Sequence, residues 1–307
     1  MKNLKNKKAF SLIELSIVLL IIGIIVAGIT QSSRLIKQFR LSSARAQTES
    51  APVNSIKGLV VWFEATSEKS FLEAETEDHD LVADAPGISI WYDINQTDGT
   101  KRNADQSTAL DRRPFYYASC INGLPCVRFT PTTGVEDYME FDGSAIAGGD
   151  YTIFAVEQRR TGTARYFLGR NAISSSNAAI SLGYNGSAIL LYSQGSSSNY
   201  YTVAIPTYTT PSASLHTFVN AYATSAEVEP IYHYLNGGTA SAFVDTGTPA
   251  YTSLTGFNNA ALGVHIEGTS TYYYNGDIGE IIIYNRALKA EERIAVETYL
   301  KKKWGIN

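Results

Sequence analysis

The sequence predicts a mainly β protein carried on one long N-terminal helix: an antiparallel sandwich of short strands, closed by a short C-terminal helix. Three observations carry this prediction. Residues 10–30 form an apolar run with a single charge, Glu14. From Gly58 onward the pattern changes to period two, in short runs rich in aromatic and β-branched residues and separated by Gly, Asn, Ser and Pro. Charged residues make up only 18% of the 307, against a usual share of about 25%, and 20 Tyr and 24 Gly help to replace them. That mixture suits an extracellular β surface.

The counts also exclude. A net charge of −4 argues against a nucleic-acid partner held by bulk charge. Two Cys and four His are too few for zinc fingers or iron–sulfur clusters.

Residues 1–9, MKNLKNKKA, hold Lys2, Lys5, Lys7 and Lys8 and no acid. The following run is long enough to cross a bilayer as a helix of about 20 residues. A secretory signal would end in small residues at a cleavage site, and Ala44-Arg45-Ala46 lies too far downstream to serve. The apolar segment is therefore expected to stay in the product. Glu14 is costly in lipid unless a cation pairs with it. Cleavage between Ala9 and Phe10 would create that cation, the new amino terminus of Phe10, which a neighbouring subunit could present. Arg34, Lys37, Arg40 and Arg45 follow the run, so the basic residues on its two sides balance and do not set orientation.

The stretch KKAFSLIELSIVLLIIGIIVAG resembles the N terminus of type IV prepilins and pseudopilins. The resemblance covers about 40 residues. It implies a basic leader, residues 1–9, cut by a prepilin peptidase at Ala9–Phe10. Phe10 would be N-methylated, and Glu14 would be the fifth residue of the mature chain. It also implies a transmembrane and stalk helix over 10–51, held in the bacterial inner membrane before assembly and packed among other pilin subunits afterwards. Two features depart from the family pattern: Ala9 stands where Gly is usual, and 10–51 lacks the helix-breaking Pro of many pilins.

The helix is expected to reach about Ser50. Leu35 and Phe39 are spaced at i, i+4, and Pro52 disfavours helix before it. Residues 52–57 read as a linker and 58–307 as the sandwich. Strands are expected at 58–65, 88–93, 113–118, 124–129, 137–141, 151–158, 165–169, 179–184, 188–193, 200–205, 215–223, 231–236, 261–266 and 279–285. Asn236-Gly237-Gly238 reads as a hairpin turn. No fixed repeat is visible, which argues against a propeller or solenoid. AEERIAVETYLKKKWGI reads as the closing helix, with acids early and Lys301 to Lys303 late, as the helix dipole favours.

GLVVWFEA, SIWYD, RRPFYYASCINGLPCVRF, GGDYTIFAV and YYNGDIGEIIIYNRALKAEERIAVETYLKKKWG are similar to concanavalin A-like, laminin-G-like domains of bacterial surface proteins. The resemblance implies a jelly-roll sandwich over 58–307. It includes glycan binders, adhesion modules, spacers and some glycosidases, so the fold leaves function open.

Cys120 and Cys126 bracket INGLP, a workable loop for a disulfide in a domain outside the cytoplasm; the alternative is two buried thiols. Glycosidase activity would need two carboxyls about 5–5.5 Å apart on one face for a retaining mechanism. Glu136, Asp137 and Glu140 fail that spacing, and Glu73, Glu75 and Glu77 sit in an acidic run that reads as a solvated loop. The expectation is a protein without enzymatic activity. A Ca²⁺ site is the one cofactor the laminin-G-like resemblance suggests. Asp142, Asp150 and Asp277 occupy turn-like contexts and are the candidate ligands, although turn acids commonly cap the backbone instead. Tyr272, Tyr273 and Tyr274 are the candidate ligand platform, since alternation forbids all three from facing inward. His216, His233 and His265 lie within strands and read as structural.

The expected function is a minor or tip subunit of a type IV pilus-like filament, its head displayed on the cell surface for adhesion or for recognition of a glycan. About 250 residues of head would crowd a thin, repetitive shaft. A pseudopilin of a type II-like secretion system is the first rival reading, and a filament-borne glycan hydrolase or an inert spacer stands behind it.

Overall fold

The computed structural model describes residues 12–82, 85–163, 165–170, 180–187, 189–194, 200–221, 231–242, 244–245, 257–267 and 270–307. Helix α1 (Leu12–Glu49) comes first. Leu, Ile and Val dominate its first half, and Glu14 in the first turn suits the positive end of the helix dipole. Ser16 and Ser32 return their hydroxyls to the carbonyls of Ile13 and Gly28, so these polar groups are satisfied within the helix. Every residue from Leu12 to Gly28 is exposed. Leu35, Ile36 and Phe39 are exposed as well, so the apolar spacing seen in the sequence is not used against the rest of this chain. Among the described residues no helix is long and apolar enough to cross a membrane. Ala9, Phe10 and Ser11 lie outside the described residues.

The helix stops before a 3-10 turn, Pro52–Ser55. The expected linker is thus a packed element: Val53 is buried and its carbonyl accepts a hydrogen bond from the Tyr284 hydroxyl.

The strands are β1 (Leu59–Glu64), β2 (Ile90–Trp91), β3 (Ala104–Asp105), β4 (Phe115–Ile121), β5 (Leu124–Phe129), β6 (Met139–Phe141) and β7 (Tyr151–Arg159). They continue as β8 (Tyr166–Arg170), β9 (Ile180–Tyr184), β10 (Ile189–Gln194), β11 (Tyr200–Ala204), β12 (Ser214–Asn220) and β13 (Ile231–Leu235). The last are β14 (Ala240–Ala242), β15 (Val244–Asp245), β16 (Ala260–Leu262), β17 (Val264–Glu267), β18 (Ser270–Tyr273) and β19 (Gly276–Tyr284), and α2 (Ala290–Trp304) ends the chain.

The first sheet runs β14-β13-β12-β7-β19-β5-β4, with β1 paired to the later part of β19. The second runs β15-β11-β10-β9-β8-β16-β6-β3-β2. β17 and β18 form a separate pair. Every pairing is antiparallel, and the two large sheets face one another across one core. Phe63 of β1 packs on Trp91 of β2 and Phe141 of β6, and Phe167 of β8 packs on Phe218 of β12. This is the β-sandwich the period-two runs predict. β3, β14, β15 and β18 are absent from the expected series, being two to four residues long and mostly without an aromatic or β-branched run. The expected strand 261–266 is split at Gly263 into β16 and β17, which belong to different sheets.

Two turns have marked backbone geometry. β4 and β5 join through Asn122-Gly123, both at positive φ (49° and 80°), as a two-residue hairpin requires. Asn236-Gly237 has the same pair of positive φ values, 52° and 67°, in the longer connection between β13 and β14.

Helix α2 follows the expected boundaries. Val296, Tyr299, Leu300 and Trp304 face the core. Gly279 of β19 makes room for Trp304: a Cβ there would lie 2.7 Å from the indole. The register of β19 shifts between Ile278 and Glu280, bringing Glu280 under the same indole.

Candidate functional site

Strand β7 lies between β12 and β19 at the centre of the first sheet. Its apolar run ends in polar residues at alternate positions, Glu157 and Arg159, which share a face. Glu157 is fully buried and is satisfied by its neighbours. The Tyr184 hydroxyl of β9 donates to its Oε1 at 2.6 Å, and the Tyr274 hydroxyl donates to Oε2. The His216 Nε2 of β12 lies 3.2 Å from Oε1 and 3.0 Å from the Tyr184 hydroxyl. His216 Nδ1 meets His233 Nε2 of β13 at 3.0 Å. A carboxylate taken out of water needs such donors. Burial holds His233 well below its ordinary pKa, and the adjacent His216 adds to that. Burial also raises the Tyr184 and Tyr274 hydroxyls well above theirs, and the Glu157 charge adds to that.

Arg159 stands at the outer end of this cluster. Its guanidinium carbon lies 4.5 Å from the Tyr184 ring centroid and 5.1 Å from that of Tyr208. Nη2 donates to the Pro206 carbonyl at 3.1 Å. The segment that supplies Tyr208 is pinned by its backbone N–H to the Ser187 carbonyl and by its hydroxyl to the Arg160 carbonyl. Arg159, Tyr184, Tyr208 and His216 border a cavity of about 330 Å³, whose remaining lining is rich in Thr and Ser hydroxyls. This is the size of a small-molecule site. Sequence reading missed Glu157 and Arg159, and it read His216 and His233 as structural. The available signal was two opposite charges at alternate positions ending an apolar strand.

The residues singled out in the sequence are dispersed. Tyr274 is buried and bound to Glu157, so it is no part of an exposed platform. Tyr272 is half-buried, with its ring against Tyr166 and beneath the Arg165 guanidinium. Tyr273 is half-buried, and its hydroxyl interacts with the Arg112 guanidinium. The three adjacent tyrosines therefore face different surroundings, as alternation requires, and the expectation of a joint platform is corrected.

The Ca²⁺ ligand set is corrected too. Asp277 is a fully buried strand residue, not a turn acid. Its carboxylate accepts from Arg128 Nε at 2.6 Å and Nη2 at 3.2 Å, and Arg160 lies 3.7 Å away. Asp142 caps Ser144 through a 2.9 Å bond to its N–H, and Asp150 immediately precedes β7. Among the described residues the three do not form a group that could hold a metal ion; Asp277 groups only with Cys120 and Cys126. Those cysteines form a disulfide, with Cα atoms 6.0 Å apart across the β4–β5 hairpin.

The carboxylates weighed for hydrolysis also go separate ways. Glu136 pairs with Arg112 at 3.5 Å and accepts the Gly134 N–H. Asp137 is buried and accepts the Thr130 N–H at 2.8 Å. Burial, with Glu136 adding, pushes it up to about 7 against that hydrogen bond.

Residues 4–30 match the prokaryotic N-terminal methylation motif. No curated protein matches the chain. Among solved structures the fold is similar to a Trypanosoma rangeli sialidase in complex with 2,3-difluorosialic acid, at 12% identity and a TM-score of 0.47, covering 88% of this chain and 39% of that one. NanB sialidase from Streptococcus pneumoniae is similar at 14% identity and a TM-score of 0.38, over 49% of this chain and 24% of that one. An arabinofuranosidase in complex with arabinofuranosyl-alpha-1,2-xylobiose is similar at 15% identity and 0.48, over 70% and 51%. The chain spans 39% of the length of the first of these sialidases. The expectation of a protein without enzymatic activity is withdrawn: the sialidases and the arabinofuranosidase named here are glycosidases, and a likeness at TM-scores below 0.5 shows neither an activity of this chain nor the lack of one. At these identities the likeness assigns no residue a catalytic role. What the sequence match establishes is confined to the N terminus: that segment is of the type IV pilin or pseudopilin precursor type.

Proposed function

We propose that this chain is a minor or tip subunit of a type IV pilus-like filament. A prepilin peptidase cleaves it at Ala9–Phe10 and methylates Phe10. Before assembly α1 is held in the bacterial inner membrane; after it, α1 packs among the helices of other subunits, with the Phe10 amine of one chain paired to Glu14 of the next. The sandwich over 58–307 is displayed outside the cell for adhesion or glycan recognition. The observation that carries this reading is the methylation-motif match over residues 4–30. The wholly exposed apolar surface of α1 from Leu12 to Gly28 supports it, because such a surface calls for partners.

Intact mass and N-terminal sequencing of the membrane-extracted chain test the processing. The expected product begins at methylated Phe10. A chain that retains Met1 and the leader lysines overturns the reading. Glu14→Ala should leave cleavage unchanged and sharply reduce recovery of the chain in sheared filaments. Recovery of the chain as the bulk repeating subunit would overturn the minor or tip assignment.

A further inference from the structure

Arg159 is only 8% exposed, and its guanidinium is incompletely satisfied. Nη2 reaches the Pro206 carbonyl, but Nη1 has no hydrogen-bond partner among the described residues. Buried donors in folded proteins almost always have an acceptor, and Arg159 is among the residues that line the cavity, where an anion would supply one. The guanidinium is already positioned for it. The rings of Tyr184 and Tyr208 hold its plane, which suits the two-pronged recognition of a carboxylate.

The cavity it borders fits one ligand class. No Asp or Glu lines it. The nearby Glu157 is engaged by two tyrosine hydroxyls and His216, so an incoming anion meets Arg159 without a competing carboxylate at the cavity wall. Thr207, Thr210 and Ser214 offer hydroxyls, and Tyr208 offers a ring. Hydroxyls beside an aromatic ring suit a sugar, whose polar edge and C–H face need different partners.

We propose that this cavity binds an acidic sugar of the uronic acid class, with its carboxylate on Arg159 and its ring against Tyr208. The proposal rests on the reading of the head as a recognition module.

The test uses the full processed chain in detergent micelles and titrates D-glucuronate, D-glucose and N-acetylglutamate, with binding followed by saturation-transfer NMR. Glucuronate should bind saturably and at least tenfold more tightly than glucose. R159Q should weaken it at least tenfold, and rising salt should weaken it further. Thr210→Trp changes an exposed residue of the cavity wall and should block binding without touching the core, which keeps the test decisive if R159Q fails to fold. Equal binding of glucose and glucuronate, or undiminished binding by R159Q, overturns the carboxylate assignment. Tighter binding of N-acetylglutamate than of glucuronate overturns the sugar assignment. No glucuronate binding by a chain that is correctly cleaved and recovered in filaments overturns this site and leaves the filament reading intact. Glucuronate binding by a chain still carrying its leader would overturn the filament reading alone.

Discussion

The two ends of helix α1 obey opposite rules. From Leu12 to Gly28 the side chains are large, apolar and exposed. Near its C-terminal end the useful residues are small or polar, and they are locked to the head. Ala44 and Thr48 are buried, and Arg45 donates from Nε to the Thr66 carbonyl at 2.8 Å and pairs with Glu68. Thr48 accepts a 2.8 Å hydrogen bond from Lys303 Nζ. Lys303, itself fully buried, pairs with Glu64 at 2.5 Å and Glu280 at 2.9 Å. The Trp62 and Trp304 indoles and the Tyr299 hydroxyl donate to Glu280 as well. Burial pushes the Glu280 carboxyl up, and the Lys303 ammonium opposes that. Helix α1, α2, β1 and β19 thus meet at one buried charge cluster. The lesson is that hydrophobicity leaves the first half of the helix available to other molecules, whereas a few polar atoms fix the second half to its own domain.

Breaking the cluster should have the largest effect on stability. Lys303→Met leaves Glu64 and Glu280 buried together without their cation and should cost about 3–5 kcal/mol. Urea denaturation would show this as a lower midpoint, partly recovered by adding Glu280→Gln. A loss below about 1 kcal/mol would mean that solvent already reaches the cluster.

Asp137 sharpens the contrast, as a buried carboxyl with no ion-pair partner among the described residues. Its folded pKa of about 7 stands above the ordinary 3.8, so the folded chain keeps a proton that the unfolded chain releases between those values. Its contribution to stability is therefore complete below about pH 4 and is lost as pH rises toward 7, on the order of 4 kcal/mol at most. Asp137→Asn should flatten the stability profile between pH 4.5 and 7.5 relative to the unaltered chain. An unchanged slope would show that Asp137 is ionised in the folded protein.

Thr48→Val removes one hydrogen bond from Lys303 and should cost about 1 kcal/mol. Differential scanning calorimetry would detect it, and no change would remove Thr48 from the junction. Glu14→Ala should have the smallest effect on the fold, leaving the melting temperature of the head unchanged while filament recovery falls. A lowered melting temperature would mean that the two ends of α1 are coupled.

Much of the architecture was legible in the sequence, for local reasons. The apolar run and Pro52 marked α1, period two marked the long strands, and the charge gradient of α2 marked the closing helix. The tyrosine triplet misled because alternation says that neighbours part company without saying which one turns inward. Asp277 misled because a turn-like NGD context hid its place on β19, between β5 and β7, where arginines from both sides reach it. Arg159 went unread because nothing near it in the chain hints at Tyr184, Tyr208 or the cavity.

What the sequence by itself determined is the N-terminal motif, the helix behind it and the antiparallel class of the head, since each depends on side chains a few residues apart. Only the tertiary structure decided that Lys303 would meet Glu64 and Glu280, that Glu157 would meet Tyr184 and His216, and that Arg159 would keep an open donor. Those contacts join residues from 23 to 239 positions apart, and the balance of desolvation against pairing that selects them exists only once the two sheets and the two helices have closed on one another.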